Sequence, residues 1–125
     1  MSENPKEKTP IELAKEGAEL KCAELKKKYN KEVYPLVFFR PTTKEIFIGF
    51  MQEPTRSAKM EAFDTMSAKE SITLAGEIIL STSIIKEESH EAFYVQESKY
   101  DDVYMGGCVD ALAHINVLIN SLKKK

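Results

Sequence analysis

Apolar residues recur at steps of three and four from Ile11 onward. Ile11, Ala14, Ala18, Cys22, Leu25 and Tyr29 form one narrow stripe, with Glu and Lys filling most other positions. This spacing predicts a helix over Pro10 to Lys28 that packs one face only. Its start is marked by Thr9-Pro10-Ile11-Glu12, where a capping hydroxyl, a proline at the first helical position and a glutamate able to reach back make a capping box. Residues 1–8 are polar, carry Pro5 and show no period, so a flexible arm is expected ahead of a single domain over 9–125.

The period then shortens to two. Val33 to Phe39 and Glu45 to Met51 are rich in branched and aromatic residues and flank Arg40-Pro41-Thr42-Thr43-Lys44, which predicts a β-hairpin. With Phe39 opposite Ile46, one face carries Val33, Pro35, Val37, Phe39, Ile46, Ile48 and Phe50. The other carries Tyr34, Leu36, Phe38, Phe47, Gly49 and Met51. Both faces are apolar, so each needs a cover. Pro35 has no amide hydrogen, which makes its strand an edge or places a bulge there.

Beyond Pro54 the pattern is helical. A short helix is expected over Thr55 to Met66. Ser67-Ala68-Lys69-Glu70 reads as a second capping box opening a helix to about Leu80, whose Ile72, Leu74, Ala75, Ile78 and Ile79 spread over a wide apolar sector. Residues 86–102 are acid-rich and read as a linker or short helix. From Asp101 to Leu122 a long helix is expected, with acids at its start and Lys123, Lys124 and Lys125 at its end, the polarity that complements the helix dipole. Met105, Cys108, Leu112, Ile115, Ile119 and Leu122 step by three and four like a bundle seam. The fold class is therefore α+β: a helix, one hairpin, then a helical C-terminal half.

Composition narrows the function classes. The chain has 125 residues, with 42% apolar and 30% charged, which suits one globular unit and gives no disorder signature. Eighteen basic residues against twenty acidic ones leave a net charge of −2, which argues against a general nucleic-acid binder. No apolar run approaches the roughly 20 residues of a bilayer helix. Met1 to Lys8 lacks the apolar core of a signal peptide, so a cytoplasmic location with reduced Cys22 and Cys108 is expected.

The residues of chemistry are sparse. Cys108 and His114 lie six positions apart on one helix, about 240° around its axis, so they cannot form a dyad within that helix. A zinc site would need Cys22, Cys108, His90 and His114 together, with no close ligand pair to nucleate it, so neither metal nor cofactor is expected. Glu87-Glu88 and Asp101-Asp102 sit in polar stretches and read as solvated carboxylates. Gly106-Gly107 lies inside a helical pattern with no preceding strand, which points to a close helix crossing, a bend or a partner contact rather than a phosphate loop. The remaining anomaly is the doubly apolar hairpin. One layer of helices hides one face; the second, with Tyr34, Leu36, Phe38, Phe47 and Met51, needs the N-terminal helix or another molecule and is the candidate partner-binding face.

The order of segments carries a resemblance. A helix ends in Leu25-Lys26-Lys27-Lys28-Tyr29, and the hairpin ends in Phe50-Met51-Gln52-Glu53-Pro54-Thr55-Arg56. A small amphipathic helix follows, then a helix with Ala75-Gly76-Glu77-Ile78-Ile79-Leu80, an acidic stretch, and a last helix closing on Leu122 and three lysines. Over about residues 25–125 this resembles the small tail-assembly chaperones of long-tailed bacteriophages and prophages. The resemblance implies a non-enzymatic protein in the bacterial host cytoplasm. It would coat the long helical tape-measure protein before tail polymerisation and self-associate as a homo-oligomer, with no catalytic residues. The alternative is a small self-associating structural or adaptor protein without a client.

Overall fold

The two apolar faces of the hairpin set the architecture, because each requires its own layer of helix. The computed structural model describes residues 8–123, and the side chains of residues 8–115. The elements are α1 (Pro10–Tyr29), β1 (Val33–Arg40), β2 (Glu45–Gln52), α2 (Arg56–Lys69), α3 (Ile72–Ser83) and α4 (Asp101–Lys123). Three 3-10 turns, Lys86–Glu88, Glu91–Phe93 and Ser98–Tyr100, lead from α3 into α4. The fold is α+β.

Local signals place the first half. Thr9 Oγ1 accepts from the Glu12 amide at 3.2 Å, and Glu12 Oε1 accepts from the Thr9 amide at 2.9 Å, which is the reciprocal capping box the sequence predicts. α1 ends at Asn30 in the left-handed region, with Lys26, Lys27 and Lys28 in its last turn. β1 and β2 pair antiparallel in the expected register, Phe39 opposite Ile46 and Leu36 opposite Gly49. The arm expected over residues 1–8 lies, but for Lys8, outside the described residues.

On one side of the hairpin, Ala18, Cys22 and Leu25 of α1 pack with Val33, Phe50 and Ile85. On the other, Leu36, Phe47 and Met51 join Ala75, Ile79 and Leu80 of α3 and Val103, Cys108, Ala111, Leu112 and Ile115 of α4. An isolated hairpin is marginal in water, and this one is stable because apolar area is removed on both sides. α2 packs chiefly against α3 and contributes Ala58 and Ala62 to the same core.

Two boundaries differ from expectation. α2 runs through Ser67 to Lys69, and the break comes at Glu70, whose φ of 51° and N–H bonded to the Met66 carbonyl end the helix. The second helix opens at Ser71, whose Oγ accepts from the Leu74 amide at 3.2 Å. Ser67-x-x-Glu70 has the letters of a capping box, but its glutamate is the residue that closes α2. In α4, Met105 is 53% exposed although it was expected in the seam. The buried set is Val103, Gly107, Cys108, Ala111, Leu112 and Ile115, a stripe turned away from Met105, while the side chains of Ile119 and Leu122 lie outside those described.

The glycines of α3 and α4 mark close approaches. A Cβ on Gly76 would sit 2.1 Å from the Cys108 carbonyl oxygen, so α3 and α4 touch backbone to backbone there. A Cβ on Gly106 would meet the Phe38 ring at 2.4 Å. Gly76→Ala should therefore lower stability by about 1–3 kcal/mol through overpacking, although alanine favours helix by about 1 kcal/mol. Denaturant unfolding checks this: a variant as stable as the parent would show that the two helices part easily.

Candidate functional site

Tyr34, Leu36, Phe38, Phe47 and Met51, the face expected to hold a partner, point into the chain's own core. Leu36, Phe47 and Met51 are buried, and Tyr34 and Phe38 are half-buried against the same cluster. Tyr34 stacks on His114 with ring centroids 5.0 Å apart and donates its hydroxyl to Glu53 at 2.6 Å. Burial and that bond raise the Tyr34 phenol above its ordinary range. Phe47 lies beneath the Arg40 guanidinium at 5.0 Å and meets the edge of His90 at 4.9 Å. In the folded chain α3, α4 and the turn holding Phe93 cover this face. The alternating pattern sorted the residues correctly into faces, but a pattern within one element does not say which other element covers it.

The residues of chemistry are likewise put to structural use. Burial pushes the Cys22 thiol up to about 11 and the Cys108 thiol up to about 12, so neither carries much thiolate at neutral pH. His90 Nδ1 accepts from the Ala92 amide at 3.0 Å and caps the turn that presents Phe93. Arg40 donates to both oxygens of Asp102, at 2.9 and 3.0 Å, and to the Lys99 carbonyl at 2.7 Å, tying the hairpin end to the start of α4. That pairing holds the Asp102 carboxyl below the usual range. Glu88 accepts from Lys28 at 2.8 Å, so the acidic stretch is tied to the basic end of α1. Among the described residues no three potential ligands cluster as a metal site would require. No described helix is long and apolar enough to cross a membrane.

The edges of the sheet are closed in two ways. The outer edge of β2 meets backbone: the Ile85 amide donates to the Phe50 carbonyl at 2.8 Å and the His90 amide to the Ile48 carbonyl at 3.0 Å. The outer edge of β1 meets side chains of α4. His114 Nε2 donates to the Pro35 carbonyl at 2.9 Å, and Asp110 Oδ2 accepts from the Val37 amide at 3.4 Å. Lys15 and Glu19 of α1 form the opposite wall of a cleft of about 190 Å³ above these contacts. Burial raises the Asp110 carboxyl, opposed by His114, the Val37 amide and Lys15.

A carboxyl raised by burial costs stability when ionised, and the cost fades as the pH falls through its folded pKa. Asp110→Asn keeps an acceptor for Val37 and removes the charge. It should be at least as stable as the parent at pH 7, with an advantage that shrinks towards pH 4. A thermal-melt series across that range checks the sign; an advantage that grows on acidification would contradict it.

The surface feature that stands out is α2. It turns Ala58 and Ala62 inward and leaves Met60 60% and Phe63 43% exposed on its outer side. Ile72 and Leu74, at the start of α3, are also exposed, so among the described residues four of the eight exposed large apolar side chains belong to this helical pair. The others are Leu13 and Leu20 on α1, and Met105 and Val109 on α4. The sequence signal for this surface was available: Ala58, Ala62 and Met66 share one side of α2, while Met60 and Phe63 lie on another. Compared with known proteins, the chain matches no family model, no curated protein and no solved structure.

Proposed function

We propose that the chain is a non-enzymatic assembly protein that holds a long helical client against the outer side of α2 and α3, in the manner of a tail-assembly chaperone. One observation carries this reading. α2 buries Ala58 and Ala62 and packs Met66 against the core, yet leaves two large apolar side chains, Met60 and Phe63, on its outer side, which a helix serving only its own core does not need. Methionine and phenylalanine one turn apart make an adaptable apolar ridge, suited to the ridges and grooves of another helix. The resemblance of its segment order to that of tail-assembly chaperones supports the same reading and suggests the client class.

Co-expression with a long helical tape-measure protein tests it. The client should stay soluble and co-elute with several copies of the chain, the mass being read by light scattering. A client that precipitates while the chain elutes alone would reject the reading. A chain that assembles with itself yet ignores the client would favour the adaptor alternative.

A further inference from the structure

The two capped positions on β1 are related by a geometric match. Along a helix, residues four apart rise about 6 Å; along a strand, residues two apart rise about 6.7 Å. Asp110 and His114 are four apart on α4, and Val37 and Pro35 are two apart on β1, so the pair meets successive outward-facing backbone groups in register. One side chain accepts and the other donates, as the backbone of an adjacent strand would. An uncapped edge of this kind is a template for pairing with another chain. β2 avoids that fate through backbone contacts with the segment after α3, which β1 lacks among the described residues. Pro35 contributes too, since it offers a carbonyl but no amide at this edge.

We propose that Asp110 and His114 are an edge guard: together they occupy two outward hydrogen-bonding groups of β1, the Val37 amide and the Pro35 carbonyl, that would otherwise be open to β1 of a second copy. This role is independent of the client surface on α2, which lies on a different element. The test uses Phe63→Glu as the background, so that contacts through α2 do not contribute. Adding Asp110→Ala and His114→Ala should leave the helical signal in place, bring concentration-dependent association, and raise thioflavin fluorescence as strands pair between copies. Adding Asp110→Asn and His114→Gln, which keep an acceptor and a donor, should leave the protein dispersed.

A second measurement holds even if the double alanine variant folds poorly. In the single Asp110→Ala variant, hydrogen exchange at the Val37 amide should quicken about tenfold, the order expected for one lost hydrogen bond, while Asp110→Asn retains protection. Unchanged Val37 exchange in Asp110→Ala would overturn the proposal. So would a folded double alanine variant that stays dispersed, or equal association in the alanine and conservative pairs.

Discussion

Leu36→Asp should abolish the folded state or cost at least about 4 kcal/mol, because it places an unpaired carboxylate at the centre of a closed apolar core. Leu36 has no exposed surface and sits with Phe47, Met51, Ile79 and Leu112. Were the inner hairpin face a docking surface, the same change would leave the monomer intact and weaken only association. Far-ultraviolet circular dichroism with a urea titration separates the two outcomes. A folded Leu36→Asp monomer with the parent's midpoint would restore that face as a candidate for partner binding.

Phe93→Ala should cost about 3–5 kcal/mol, the range for removing a fully buried aromatic ring. Its ring fills a slot made by two glycines: a Cβ on Gly49 would come within 2.7 Å of it, and one on Gly107 within 2.9 Å. Leu80 lies against Gly107 as well, so the ring joins β2, α3 and α4 at one point. Because the neighbouring backbones cannot move inward without disturbing both faces of the hairpin, little of the cavity should collapse. A shift in the urea midpoint at constant slope measures the loss. A cost below about 1 kcal/mol would show that the stretch between α3 and α4 is not part of the core.

These two residues also mark what was legible in the sequence. Leu36 was placed on the correct face by alternation, and the register that pairs Phe39 with Ile46 follows from the loop between the strands. The capping box at Thr9 and the long terminal helix were equally readable, since each depends on residues within one turn. Phe93 was not readable, because it lies in an acidic stretch without a period, where nothing sets it apart from Tyr94 and Tyr100; only the glycines of two distant elements make its slot. The α2 to α3 boundary was misplaced by four residues' worth of pattern, Ser67 for Ser71, because the left-handed backbone at Glu70 has no mark of its own in a non-glycine residue. The exposed apolar side of α2 was missed for a different reason: exposure of an apolar residue is set by what packs beside it, and Met60 and Phe63 look like core residues until Ala58 and Ala62 are seen to face inward.

The central claim is that the outward side chains of α2 hold a helical client. Phe63→Glu tests it most directly, in a titration of the purified variant with the same tape-measure client. As a surface change it should move stability by no more than about 0.5 kcal/mol. The account predicts that the variant keeps the parent's unfolding midpoint and loses client binding. A variant that binds the client as tightly as the parent would contradict it.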